Sequence, residues 1–163
     1  MSNRRNFIKK SALGTLGVSS ILGCNELNNA NIKKTYPRII STWNHGLDAN
    51  KKAWEVLKNG NGGLSAIEEG VKVSEADPKV RSVGYGGYPD REGIVTLDAC
   101  IMDKNSNCGS VSFLQNIKHP ISVARHVMED TPHVMLSGKG ALDFAISKGY
   151  KQENLLTDDS KKD

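Results

Sequence analysis

The chain has 163 residues, enough for one domain with a hydrophobic core and too few for two comfortable ones. Its formal charge of +4 comes from one end of the sequence: residues 1–23 carry four basic side chains and no acidic one. The other residues hold 18 basic and 18 acidic side chains, a balance that gives no support for nucleic acid as a partner.

The first residues are typical of an export signal, which we place at 1–23. Arg4 and Arg5, followed by Asn-Phe-Ile-Lys, resemble a twin-arginine signal. The apolar run after them is too short and too rich in glycine and serine for a stable transmembrane helix. Cys24 follows Leu-Gly, as in a lipobox whose cysteine receives lipid. We therefore predict a periplasmic protein or a membrane-anchored lipoprotein with a polar tether over 24–37, the alternative being a basic N-terminus without signal function.

The other two cysteines, Cys100 and Cys108, could be paired across a turn or be separate thiols. Separate thiols are favoured because Cys100 lies in an apolar run typical of a core strand. The histidines show no metal-ligand spacing and no Cys-x-x-Cys motif occurs, so we predict no metal site. We interpret all four histidines as surface or loop residues.

The predicted elements begin with a buried strand over residues 38–43, RIISTW. A helix over 48–58 follows. A glycine-rich turn then leads to a second helix, for which Ser65 and Glu68 form a Ser-x-x-Glu capping box. The Asp-Pro pair at 77–78 ends that helix, because the residue before a proline disfavours helical backbone.

The second half of the sequence predicts a β-hairpin followed by two helices and a short strand. Strand-like runs cover 93–103 and 108–115, joined by a Lys-Asn-Ser-Asn loop. A helix opened by proline covers 120–129, a strand covers 133–138 and a last helix covers 141–149. These elements predict a layered α+β domain. The strands are apolar enough for burial on both faces, so the sheet needs partners that this chain does not supply.

Residues 81–90, RSVGYGGYPD, which we call the glycine segment, contain three glycines within four positions. A dinucleotide-binding loop would follow a strand and open a helix, whereas the glycine segment lies between a helix and a strand. The absence of Gly-x-Ser-x-Gly excludes a nucleophile elbow. Two interpretations remain: a simple structural turn, or a backbone that passes close to another part of the chain with Ser82 at its edge.

Four stretches in one order resemble the α-subunit half of glycosylasparaginase, an N-terminal-nucleophile hydrolase: STWNHGLDANKKAWEVLKNG, RSVGYGGYPDREGIVTLDACIMD, ISVARHVMEDTPHVMLSGKGALDFA and KQENLLT. The similarity covers residues 38–157 and leaves 158–163 as a polar tail. It implies that the chain is the N-terminal part of a four-layer αββα sandwich, whose precursor cuts itself into α and β chains. It also implies a β chain as partner, a homo-oligomer of αβ units and no cofactor.

The resemblance implies a mechanism in which the N-terminal threonine of the β chain attacks the side-chain amide of a glycosylated asparagine, with its own α-amino group as general base. Trp43 matches the tryptophan that lines the substrate pocket, although a core anchor is an alternative from the residues alone. Ser82 matches the serine near the amino group of the nucleophile. His45 stands where the family has an aromatic residue, which leaves the substrate preference open.

The family's threonine nucleophile, its substrate-holding Arg and Asp, and its oxyanion-hole segment are expected beyond Asp163. The chain alone is therefore expected to be inactive. Without the rest of its sheet it is also expected to aggregate or to unfold with poor cooperativity. The alternatives are an isoaspartyl peptidase or plain asparaginase of the same family, and a truncated lipoprotein that binds glycan or peptide without catalysis.

Overall fold

The computed structural model describes residues 36–162, so the predicted signal, Cys24 and most of the predicted tether lie outside the described residues. The elements run in this order: helices α1 (Gly46–Lys58) and α2 (Gly63–Ala76), strands β1 (Thr96–Met102) and β2 (Cys108–Gln115), helix α3 (Pro120–Asp130), strand β3 (Met135–Ser137), helix α4 (Gly138–Ser147) and a 3-10 turn (Ser160–Lys162). The α+β class is confirmed, and the four-layer sandwich stays a prediction.

The three strands form one sheet in the order β1-β2-β3. Strands β1 and β2 are antiparallel, which confirms the predicted hairpin. Asp103 closes the hairpin loop by accepting the backbone N–H groups of Asn105 at 2.8 Å and of Asn107 at 2.9 Å. Strand β3 pairs parallel with β2, and α3 forms the crossover between them. The predicted helices in this half of the chain are confirmed within three residues at either end.

The hydrophobic core lies between one face of the sheet and helices α3 and α4. Leu114 of β2 and Val123, Ala124 and Val127 of α3 are fully buried. A Cβ added to Gly109 would lie 2.2 Å from the backbone oxygen of Ala124. The main chains of β2 and α3 therefore approach so closely that only glycine fits between them.

The opposite face of the sheet, which we call the open face, carries exposed side chains on β1 and β3. Cys100, Ser110 and Met135 lie side by side on adjacent strands, and Met102 is two residues along from Cys100 on the same face. Met102 is 58% and Met135 57% exposed. This exposure agrees with the expectation that the sheet needs partners which residues 36–162 do not supply. Cys100, predicted as a core residue, is exposed, and both it and Cys108 are free thiols, as predicted.

The strand predicted over residues 38–43 is wrong. This segment is irregular, and Ile40 is 89% exposed. A strand is stable only where a neighbour accepts and donates its backbone hydrogen bonds. No such neighbour pairs with it among the described residues.

The predicted capping box of α2 is also wrong. The helix begins at Gly63, before Ser65, and has no side-chain cap. Ser65 Oγ instead accepts a hydrogen bond from Arg125 Nη1 at 3.2 Å. Glu68 accepts hydrogen bonds from Ser122 Oγ at 2.5 Å and from Arg125 Nη1 at 2.7 Å. Both side chains thus fasten α2 to α3, a long-range contact that a local sequence pattern does not reveal.

Within residues 36–162, no helix has both the length and the apolar character needed to cross a bilayer. The polar tail is not wholly exposed, since Ser160 is buried and exchanges hydrogen bonds with Thr157.

Candidate active site

Helices α1 and α2 form a hairpin that brings the start of α1 beside the end of α2. A hydrogen bond of 2.9 Å joins His45 Nδ1 to Ser74 Oγ and fastens the two together. Trp43 lies two residues before His45, and the glycine segment follows α2 directly. We call the turn that leads into α1 together with the start of that helix, the end of α2 and the glycine segment the site end. It holds all three site residues predicted within the described chain.

Trp43 lies in the turn that leads into α1, and 73% of its surface is exposed. Its backbone oxygen accepts the N–H of Gly46 at 2.9 Å, which helps to fix the turn. Within residues 36–162, Trp43 is therefore not a buried core anchor. An exposed indole ring in a defined turn is available to contact a ligand.

The glycine segment passes tightly against the end of α2. Gly84 has a φ of +59°, and a Cβ on it would lie 2.0 Å from the backbone oxygen of Glu75. That same oxygen accepts the N–H of Tyr85 at 2.8 Å, while the N–H of Gly86 donates to the backbone oxygen of Leu155 at 2.8 Å. Of the two interpretations of this segment, the close approach is confirmed and the simple turn is wrong.

Ser82 is exposed and lines a cavity of about 290 Å³ between α2, β1 and the start of α3. Other polar groups on its wall come from Glu75, Thr96, Asp98 and Cys100. No base within the described part of the chain is hydrogen-bonded to the Ser82 hydroxyl. The hydroxyl can instead donate or accept a hydrogen bond to a group that enters the cavity.

Sequence reasoning missed Glu75, a carboxyl that is only 2% exposed. Its Oε1 accepts the backbone N–H of Ile121 at 3.0 Å, and its Oε2 lies 3.1 Å from His119 Nδ1. Burial raises the pKa of Glu75 above its usual value, although both hydrogen bonds act in the opposite direction. The helical spacing could have indicated this burial, because Glu75 follows Val71 by four residues and Glu68 by seven and so lies on the same inward face of the helix.

His119 lies in the loop before α3, in agreement with the interpretation of the histidines as surface or loop residues, but its side chain is only 26% exposed and bonded to Glu75. His45 is half-buried and bonded to α2. Neither is part of a metal site: residues 36–162 contain no group of three or more His, Cys, Asp or Glu side chains able to hold a metal ion.

Comparison with known proteins gives this arrangement a family. A family profile described as Asparaginase matches residues 29–163. The chain belongs to the asparaginase family. It is 56% identical over 165 residues to N(4)-(beta-N-acetylglucosaminyl)-L-asparaginase of Elizabethkingia miricola, covering 99% of this chain and 48% of the relative. It is 38% identical over 147 residues to the enzyme of the same name from Rattus norvegicus, covering 90% of this chain and 40% of the relative.

The relatives confirm the resemblance to glycosylasparaginase that the sequence motifs indicated. This asparaginase-family chain spans less than half the length of either relative. A hydrogen bond ties His45, two residues after Trp43, to the end of α2, and the glycine segment with Ser82 follows that helix, whereas Cys24 lies outside the described residues.

Proposed function

We propose that this chain is the N-terminal, or α, portion of an exported amidohydrolase that cleaves the side-chain amide of a glycosylated asparagine. The products are aspartate and an amino sugar. The observation that carries the proposal is the 56% identity to a protein of that name, in a chain whose exposed Trp43 lies in the turn before α1 and whose Ser82 lines a cavity.

A β chain from the same precursor is part of the proposal, and the open face supports it. Methionines at 57% and 58% exposure on a regular sheet are poorly placed for contact with water. A second sheet packed on this face, about 10 Å away, would bury them and complete the core. It would also complete the four-layer arrangement that the resemblance implies, and two such αβ units would form the oligomer.

The β chain's N-terminal threonine supplies the reacting atoms. Its hydroxyl oxygen attacks the amide carbon while its own α-amino group accepts the hydroxyl proton. The C–N bond then breaks, the amino sugar leaves with a proton, and water cleaves the resulting ester to release aspartate and restore the threonine. Ser82 hydrogen-bonds the α-amino group, Trp43 forms a wall of the substrate pocket, and His45 lies beside it.

Export completes the proposal. Arg4 and Arg5 direct the chain to the twin-arginine pathway, and Cys24 is the site of lipid attachment. The mature protein is then periplasmic or held at the membrane surface.

Intact-mass analysis of the protein isolated from its native membrane fraction tests both the accompanying β chain and the lipid anchor. We expect a second chain that begins with threonine, and a mass increase at Cys24 that corresponds to lipid. A lone lipidated chain ending at Asp163 would contradict the enzyme and leave the truncated, non-catalytic lipoprotein. A threonine-initiated partner without lipid would retain the enzyme and refute the anchor.

The substrate class is tested with three amides: N-acetylglucosaminyl-asparagine, an isoaspartyl dipeptide and free asparagine. We expect the highest kcat/KM for the glycosylated substrate, because Trp43 offers an exposed ring for it to pack on. A preference for the isoaspartyl dipeptide or for asparagine would assign the chain to the alternative activities of the same family.

A further inference from the structure

At one residue of the site end, Glu75, the end of α2 meets two other segments of the chain. Its backbone oxygen accepts the N–H of Tyr85 in the glycine segment at 2.8 Å. Its carboxylate accepts the N–H of Ile121 at the start of α3 at 3.0 Å, and a hydrogen bond of 3.1 Å joins it to His119 in the preceding loop. A single residue thus connects the end of α2 with two other segments of the chain.

The contact with α3 is of a strong kind. Ile121 lies in the first turn of α3, where backbone N–H groups have no partner within the helix. A carboxylate there satisfies one such group and interacts favourably with the helix dipole. Because Glu75 is almost fully buried, water does not replace the bond if it is lost.

The contact with the glycine segment leaves little room for movement. Gly84, two residues after Ser82, lies so close to Glu75 that a Cβ would be 2.0 Å from its backbone oxygen. Ser82 and Glu75 line the same cavity of about 290 Å³. Where the Glu75 backbone lies therefore determines where the Ser82 hydroxyl lies on the cavity wall.

We propose that Glu75 is a positioning residue for Ser82. Its side chain clamps the end of α2 to the start of α3, and its main chain holds the glycine segment against that clamp. The catalytic consequence rests on the proposed function, since it assumes that Ser82 contacts the nucleophile's amino group. The structural consequence, an ordered glycine segment, does not depend on it.

Glu68 provides a matched control. It lies on the same face of α2, two turns before Glu75, and also binds α3, through Ser122 and Arg125. It is not among the residues that line the Ser82 cavity, and the glycine segment bonds Glu75 instead. Loss of its carboxylate weakens the same pair of helices without touching the glycine segment.

The experiment compares Glu75→Met, Glu75→Gln and Glu68→Met in the complete protein, with the accompanying chain present. Hydrogen exchange is read at the amides of Tyr85 and Gly86, and kcat and KM are read with N-acetylglucosaminyl-asparagine. Methionine fills the volume of glutamate but accepts no strong hydrogen bond, whereas glutamine keeps an acceptor for Ile121.

For Glu75→Met we expect these amides to exchange about tenfold faster, the effect of losing one buried hydrogen bond. We expect kcat to fall about tenfold to a hundredfold, the effect of a small misplacement, with KM nearly unchanged. Glu75→Gln should restore slow exchange, and Glu68→Met should leave exchange at both amides and kcat as in the wild type.

Two results would overturn the proposal. One is an unchanged exchange rate at Tyr85 and Gly86 in Glu75→Met. The other is an equal increase of that rate in Glu68→Met, which would indicate general loosening of α2. If Glu75→Met fails to fold, Glu75→Asp is read instead. Its side chain is one carbon shorter and cannot reach both His119 and Ile121, so unchanged exchange there would equally refute the proposal. A wild-type protein that hydrolyses none of the amides would contradict the proposed function alone, because exchange still reports on the glycine segment.

Discussion

The hydrophobic core and the site end are held together by different forces. In the core, Leu114, Val123 and Val127 are wholly buried between the sheet and the helices. At the site end, the contacts are hydrogen bonds such as that between His45 and Ser74, and the largest side chain, Trp43, is exposed. Apolar burial provides most of the stability of a domain, while directional bonds determine where particular atoms lie.

This difference teaches that stability and site geometry can be altered separately. Removing apolar volume from the core should lower the free energy of unfolding without a specific effect on the site. Changing the bonds at the site end should alter the positions of Trp43 or Ser82 at a smaller cost in stability. Four substitutions or pairs test this, from the largest expected change in stability to the smallest.

Leu114→Ala should give the largest loss, about 2–5 kcal/mol in the free energy of unfolding, because it leaves a cavity in a closely packed core. Met102→Ala on the open face is the control and should cost less than about 1 kcal/mol while that face is uncovered. Urea unfolding of the purified protein measures both. Equal losses would show that the open face is packed in solution.

Gly84→Ala should cost about 2–4 kcal/mol, since it combines left-handed backbone strain with a clash against Glu75. Gly60 is a matched control: its φ is +83°, but a Cβ there would meet nothing within 4 Å. Gly60→Ala should therefore cost only the strain, about 1–2 kcal/mol. If the two variants unfold at the same urea concentration, the close approach of Gly84 to Glu75 adds nothing to the loss of stability in Gly84→Ala.

The two carboxyls of α2 should respond to pH with opposite signs. Burial raises the pKa of Glu68, but the bonds from Ser122 and Arg125 and the charges of Arg125 and Lys72 outweigh it, so the net pKa is lowered. Glu68 therefore contributes stability above its unfolded pKa that is lost as pH falls. For Glu75 the net pKa is raised, chiefly by burial, so wild-type stability declines as pH rises from the unfolded value of 4.5.

These signs are checked with Glu75→Gln and Glu68→Gln in urea unfolding from pH 3 to pH 7. Relative to the wild type, Glu75→Gln should gain stability as pH rises above about 4.5, by at most about 1.4 kcal/mol per pH unit. Glu68→Gln should be least stable relative to the wild type near pH 7, and the difference in the free energy of unfolding should disappear below about pH 4.5. Parallel curves for the two variants would contradict the assigned environments.

Trp43→Ala should have the smallest effect on stability, within about 0.5 kcal/mol, because the side chain is largely exposed. Under the proposed function the same change should lower kcat/KM for the glycosylated substrate by about tenfold or more, since an aromatic contact to the ligand is lost. Trp54→Ala, which removes another partly exposed tryptophan from α1, should leave kcat/KM unchanged. A loss of stability at Trp43 comparable to that of Leu114→Ala would mean that another chain covers it.

The sequence by itself determined the local elements and the family. Apolar spacing located α3 and α4, the Lys-Asn-Ser-Asn loop located the hairpin, and the motifs around Trp43 and Ser82 identified a glycosylasparaginase relative. Such features depend on neighbours within a few residues, through periodicity and turn chemistry, so they can be read along the chain.

Tertiary structure alone decided which polar side chains are buried and what they hold. Glu68 was assigned to a local cap but binds Arg125, 57 residues away, and Glu75 binds Ile121, 46 residues away. The strand predicted over 38–43 likewise depended on a neighbour that the described residues do not provide. A hydrogen-bond partner distant in sequence is selected by packing, and no local pattern specifies which carboxyl or strand will meet it.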